Sequence, residues 1–338
     1  MYHISVILPV FNAENTIDEC IQSIVNQTIF EHMEIVVVDD RSTDSTVEKL
    51  MKYEEMYPEN ICIIRLDENK GPGNARNVAM EYATGEYIGF VDADDAVVPV
   101  MYEHLYEEAK RTDADLVDGG FYDQRNDTAI VFTSDDLTGK LNPEKRSRLI
   151  VSGGYNTTKI FRHALLEREG ICFRNEYVLE DMDYLIEVFA KAQSISNVKE
   201  IVYIYRDSSE SLSKTMEADK YIHSTKGAME AIYAKTHLLP GYTEIKEACE
   251  YAMLQLYSFS INKCLQAYLN NKKDLEDAIA LLEELKNMRA EYVSKGYDNE
   301  YVNQKIPSEN IDIMKLNDIS PKKLCTEIFK QGTDCHRL

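Results

Sequence analysis

The chain has 338 residues, 44% of them hydrophobic, and its 59 acidic against 37 basic side chains give a net charge of −22. That length holds two domains, or one large α/β domain with an appendage, and the apolar content excludes a disordered chain. The charge excludes nucleic-acid binding, which needs Lys and Arg to neutralise phosphates, and argues against general attraction to anionic lipid.

The charge is uneven. Residues 1–214 carry 21 basic and 40 acidic side chains, a net of −19, while residues 215–338 carry 16 and 19, a net of −3. The seven cysteines (Cys20, Cys62, Cys172, Cys249, Cys264, Cys325 and Cys335) form no Cys-x-x-Cys pair. They read as reduced thiols of a cytoplasmic protein. The histidines show no metal-ligand spacing. No apolar run reaches the roughly 18 residues of a membrane span. The N-terminus enters a strand at once, which leaves no room for a signal peptide.

In chain order, residues 4–8 read as a buried strand, followed by a helix with Ile17, Cys20, Ile21, Ile24 and Val25 on one face. A second strand spans 35–38, and a helix from about Ser45 is capped by Ser42 or Asp44. A third strand spans 61–64, and a helix runs from about Gly73 to Ala83. A fourth strand, Tyr87 to Val91, leads into Asp92-Ala93-Asp94-Asp95 and a helix opening near Pro99. This alternation predicts a mostly parallel sheet flanked by helices, with ligands outside the carboxyl ends of its strands. From 120 to 214 the pattern loosens into short strands, with helices near 143–151 and from Glu180. Beyond 217 it predicts helices over 217–236, 243–270 and 273–292. The division is therefore placed at 1–214 and 215–338, the second part serving as a cap, a homo-oligomer interface or a docking face.

Five clusters carry chemistry. Pro9-Val10-Phe11-Asn12 ends the first strand and offers a wall for a flat base. Asp39-Asp40 follows the second, where one carboxylate can accept a hydrogen bond from a nucleobase ring. Asn69 to Asn77 is glycine-rich, opens a helix whose amides point toward an anion, and includes Arg76. Asp92 to Asp95 gathers carboxylates at a strand end, where like charges raise one another's pKa unless a divalent cation relieves them. Glu180-Asp181-Met182-Asp183 opens a helix, where acids complement the dipole and one could serve as a general base. Tyr155, Tyr177 and Tyr184 are placed either to stack on a sugar ring or to pack in the core.

In this order and spacing the clusters resemble the inverting family 2 glycosyltransferases of GT-A fold, of the bacterial cell-surface polysaccharide and teichoic-acid type. Pro9 to Asn12 is similar to the family's Pro-Val-Tyr-Asn, and Val38 to Asp44 to its Val-Asp-Asp-Gly-Ser-Thr-Asp. Gly71 to Asn77 resembles Gly-x-x-x-Ala-Arg-Asn, and Asp92-Ala93-Asp94 the Asp-x-Asp metal motif. Glu180-Asp181 resembles the downstream Glu-Asp pair, and Tyr205-Arg206 with Ser211 a segment that closes over the diphosphate. Two departures stand out. Arg41 replaces a glycine, so its turn differs or its side chain reaches the donor; Ala79 replaces another on a helix.

The resemblance implies a nucleotide-sugar site, with a UDP-sugar as the expected donor. Pro9, Phe11, Asp40, Asn69 and Arg76 would surround the base, with Asp92 and Ala93 at the ribose or metal. Asp94 would ligate Mn²⁺ or Mg²⁺, and Arg206 and Ser211 would contact the diphosphate. Asp181 would be the catalytic base and Glu180 would orient the acceptor. The implied acceptor is a glycan, a lipid-linked saccharide or a polyol-phosphate (teichoic-acid) polymer, which leaves room for peripheral contact with the inner membrane face. A sugar nucleotidyltransferase would carry a glycine-rich basic loop where Pro9 to Asn12 stands. A non-catalytic nucleotide-binding relative would have lost Asp94, Asp181 or Arg206.

Overall fold

The computed structural model describes residues 2–206, 216–270 and 273–330. The chain divides into two compact units, one up to residue 210 and one from residue 211.

The first unit opens with β1 (Ile4–Val10), buried along its whole length, then α1 (Ile17–Val25), which turns Ile17, Cys20, Ile21 and Ile24 inward. β2 (Met33–Asp39), α2 (Thr46–Met56), β3 (Ile61–Arg65), α3 (Pro72–Tyr82) and β4 (Tyr87–Phe90) continue the alternation. Pro72 takes the first helical position of α3, where its missing N–H costs nothing. Next come β5 (Ala96–Val97), α4 (Met101–Thr112), β6 (Leu116–Asp123), β7 (Thr128–Ile130) and β8 (Gly139–Lys140). The unit closes with α5 (Pro143–Ser152), β9 (Lys159–Arg162), α6 (His163–Glu169), α7 (Glu180–Lys191) and β10 (Ser194–Tyr205).

Among the described residues the strands form one sheet in the order β3-β2-β1-β4-β9-β6-β10-β5, with β7 on β6 and β8 on β10. The β3-β2-β1-β4 half is parallel. β9 runs antiparallel between β4 and β6, so the sheet is mixed; β6 and β10 are again parallel. Val10 pairs with Asp39 and Ile7 with Phe90, which brings the carboxyl ends of β1, β2 and β4 to one edge. The β-branched residues Ile4, Val6, Ile35 and Val37 are buried beneath that edge with Leu8, Ile17, Ile21 and Ile24.

The cap expected from Ser42 or Asp44 differs in detail. Ser45 is the residue before α2 and makes no side-chain cap, while Asp44 accepts the Thr46 N–H at 3.0 Å and Glu14 accepts that of Ser45. The orphan amides are thus met partly from the loop after β1.

The second unit is helical where described: Ala218–Thr236, Tyr242–Leu269, Leu275–Tyr292, Glu300–Lys305, Ser308–Ile319 and Pro321–Lys330. The first three pack on one another. Asp274 caps the third through the Asp277 N–H at 2.9 Å. Among the described residues no helix is long and apolar enough to cross a membrane.

Candidate active site

Arg76 is the structural centre of the site. α3 carries it into the protein, where it is 5% exposed. One guanidinium nitrogen donates to Glu180 at 2.5 Å and the other to Asp92 at 2.8 Å. Burial alone would lower its pKa; the Asp92 and Glu180 charges outweigh that and hold it firmly cationic. Three segments far apart in sequence, α3, the end of β4 and the start of α7, are thereby locked together. The Phe173 ring lies against the guanidinium at 5.3 Å.

Glu180 and Asp181 begin α7 after Leu179, which is held at a φ of 63°. A non-glycine residue there is strained and persists only when its surroundings over-determine it. Arg174 supplies that constraint by donating to the Leu179 carbonyl at 2.8 Å and to buried Asp183 at 2.6 Å. Asp181 is closely surrounded yet keeps part of its surface open to solvent. Its carboxyl is pushed up to about 7 by burial and then by the Glu180 charge, against the pull of Arg76.

The acidic tetrad is built from below. The Asp92 N–H donates to the Tyr203 hydroxyl at 3.2 Å, and that hydroxyl donates to Asp95 at 2.7 Å. Asp95 also accepts the Arg206 N–H at 2.9 Å, which ties the end of β10 to the tetrad. The Arg206 guanidinium pairs with Glu19. Burial, then the Asp92 and Asp94 charges, push Asp95 up to about 8. Asp92, Ala93 and Asp94 are partly exposed above it. Among the described residues no group of three or more His, Cys, Asp or Glu is arranged to hold an ion alone. Crowded carboxylates of this kind fit an ion completed by substrate phosphates, the usual arrangement for Mg²⁺.

The glycine-rich segment works differently from the expectation. The amides of Lys70 and Gly71 donate at 2.9 and 2.8 Å to the two oxygens of Asp40, so the anion they meet is the protein's own carboxylate. The close approach the glycines permit is by the 174–177 segment. A Cβ on Gly73 would stand 1.9 Å from the Arg174 carbonyl oxygen, and one on Gly71, whose φ is 88°, 2.9 Å from that of Glu176. Arg41 keeps a left-handed turn at φ 66°, and its side chain reaches the Asp67 carbonyl at 2.5 Å. The backbone a glycine would suit is therefore retained.

Pro9 is buried, Phe11 is exposed, and the Asp40 N–H donates to the Val10 carbonyl at 2.8 Å, joining the ends of β1 and β2. Asn69 is partly exposed, and its carbonyl accepts from the Tyr177 hydroxyl at 3.3 Å. Tyr184 is a core residue, fully buried and stacked on Phe173 at 3.9 Å; its place one turn inside α7 turns it into the apolar layer. Tyr155 and Tyr177 are 45% and 43% exposed. Ser211, like the serine-rich stretch around it, lies outside the described residues. The sequence reading missed Arg174, Tyr203 and Asp95 as supports; the apolar run from Ile201 to Tyr205 was the available signal for Tyr203.

The family model described as glycosyl transferase family 2 matches residues 5–170. An uncharacterized glycosyltransferase EpsJ of Bacillus subtilis is 33% identical over 224 residues, covering 62% of this chain and 63% of that protein. A poly(ribitol-phosphate) beta-glucosyltransferase of Bacillus spizizenii is 33% identical over 209 residues, covering 60% of this chain and 32% of that protein. The chain thus spans less than two thirds of either relative. The crystal structure of Staphylococcus aureus TarS 1-349 in complex with UDP-GlcNAc superposes with a TM-score of 0.73 at 22% identity, covering 98% of this chain and 93% of that one. That likeness is one of fold. Residues 5–170 thus match glycosyl transferase family 2, carried on the GT-A fold.

Proposed function

We propose that the protein is a metal-dependent inverting glycosyltransferase. It moves a sugar from a nucleotide-sugar, most simply a UDP-sugar, to a hydroxyl of a glycan, lipid-linked saccharide or teichoic-acid-type acceptor. The observation that carries this reading is the Arg76 bridge, which places the Glu180-Asp181 pair beside the acidic end of β4. The names of the relatives, a poly(ribitol-phosphate) glucosyltransferase and a UDP-GlcNAc complex, support the donor class and a cell-surface product.

In this reading the acceptor hydroxyl attacks the sugar C1 while the C1–oxygen bond to the nucleoside diphosphate breaks. The bonding electrons leave with the diphosphate, and the hydroxyl proton passes to Asp181. One displacement from the face opposite the leaving group inverts the anomeric configuration. A base with a pKa of about 7 is matched to this task, since it is largely ionised just above neutrality and still accepts a proton readily. Glu180, fixed by Arg76, orients the acceptor. Asp40 keeps lone pairs for a base N–H beside Pro9, Phe11 and Asn69. Asp94, with Asp92 near it, would hold Mn²⁺ or Mg²⁺, which when bound neutralises charge on the diphosphate. Arg206, tied to the tetrad through its backbone N–H and paired with Glu19, would meet the same developing anion by exchanging that carboxylate for it. The protein would act in the cytoplasm, where nucleotide-sugars are expected, with its acceptor at the inner membrane face.

Thermal unfolding with UDP, GDP, TDP and CMP, each with and without Mn²⁺, tests the donor site. A ligand at 100 times its Kd stabilises by about 2.7 kcal/mol. A UDP shift that needs Mn²⁺ and disappears in Asp94→Ala is expected; no shift with any nucleotide would sink the reading.

A further inference from the structure

Among the described residues, four arginines around the candidate site are already matched to carboxylates of the same unit. Arg76 holds Asp92 and Glu180. Arg125 pairs with Asp123 at 3.0 Å and lies over the Tyr205 ring at 4.4 Å. Arg174 pairs with Asp183 and Arg206 with Glu19. Around these pairs residues 1–214 carry 40 acidic against 21 basic side chains. A donor diphosphate can bring its own divalent ion into such a field. A long phosphate-linked acceptor meets the excess negative charge along every repeat that comes within a Debye length, about 8 Å at physiological ionic strength.

At the carboxyl edge of the sheet the unit presents an aromatic surface instead. Tyr155 is 45% exposed and braced edge-on by Phe121 and Phe132, with ring centroids at 5.0 and 5.5 Å. β9 runs antiparallel to β4 with Gly89 opposite Ile160, so Tyr155, just before β9, stands toward the carboxyl end of β4 where the acidic tetrad begins. Burial first, then the Asp181 charge, raise its hydroxyl pKa. Its backbone is anchored from beneath by Lys159, whose ammonium donates to the Tyr155 carbonyl at 2.9 Å. That lysine is itself paired with Asp118 at 2.9 Å, both fully buried. Thr133 and Thr158 donate to the two Asp118 oxygens at 2.7 Å each, so the network is well satisfied. A half-exposed ring on so rigid a mount is amphipathic, with an apolar face for sugar C–H groups and a hydroxyl for hydrogen bonds.

We infer that the acceptor is an uncharged glycan docked on the Tyr155 ring, and not a phosphate-linked polyanion. The inference rests on the glycosyltransferase reading and narrows its acceptor. The full chain with UDP-sugar and Mn²⁺ is offered a panel of uncharged oligosaccharides and, separately, poly(ribitol phosphate) and poly(glycerol phosphate). Slow hydrolysis of the donor by water is followed in parallel. Expected is transfer to an uncharged glycan with kcat/KM at least about tenfold above either polymer. Tyr155→Ala raises the acceptor KM about tenfold, as loss of one aromatic contact of about 1.4 kcal/mol implies, and Tyr155→Phe restores most of it. Transfer to a phosphate polymer at equal or greater kcat/KM would overturn the inference, and so would transfer to neither class while donor hydrolysis persists. Absence of donor hydrolysis would instead defeat the glycosyltransferase reading beneath it.

Discussion

Asp181→Asn separates the chemistry of the site from its stability. The carboxyl is raised from 3.8 to about 7 in the folded chain, chiefly by burial and next by Glu180. The folded state therefore holds its proton more tightly than the unfolded chain. That contribution is fully present below the unfolded value and is lost as pH rises through the folded one. About three pKa units at 1.36 kcal/mol each set a ceiling of ~4 kcal/mol above pH 7. Asp181 keeps some solvent exposure and shares its shift with Glu180, so about 1–2 kcal/mol is the figure to expect after screening. Asn removes the ionisation. At pH 8 the variant should melt a few degrees above the wild type, with the gap narrowing toward pH 5. Transfer should fall by about 10²–10⁴, the range for losing a general base, with UDP affinity nearly intact. Melting curves at pH 5, 6, 7 and 8 beside a transfer assay decide it. A variant less stable than wild type at pH 8, or one that transfers at the wild-type rate, refutes the reasoning.

Other substitutions probe the supports. Arg76→Met leaves Glu180 and Asp92 without their cation and should cost about 3–5 kcal/mol in denaturant unfolding. Gly73→Ala places a Cβ 1.9 Å from the Arg174 carbonyl, forcing the segment before α7 away; about 1–3 kcal/mol of stability and most of the activity should be lost. Arg41→Gly relieves a left-handed φ of 66° at an exposed turn, and urea unfolding should find it neutral or up to about 1 kcal/mol more stable.

Much of the first unit was legible because its signals are local. β1, α1, β2 and β4 announce themselves by buried runs and a helical period, and their ends carry the acidic clusters. Arg76, Asp92 and Glu180 were each visible as types in motifs, but their joining was not, because it depends on contacts up to 104 residues apart in sequence. The same holds for Tyr203, whose hydroxyl lies under the tetrad only because β10 pairs with β6 and β5. The glycines near α3 were legible as a need for space, though not as space for the 174–177 segment. The Lys159–Asp118 pair left no trace in composition or periodicity; a lysine in a short apolar strand reads as an edge until β4 and β6 are seen on both sides of it.

The central claim is a single displacement with Asp181 as base, and the configuration of the released sugar tests it most directly. Proton NMR of an α-linked UDP-sugar, recorded as the protein hydrolyses it with Mn²⁺ and before mutarotation, reports the first anomer formed. The account predicts the β-anomer, lost in Asp181→Asn. A first-formed α-anomer, or undiminished release by the Asn variant, would contradict it.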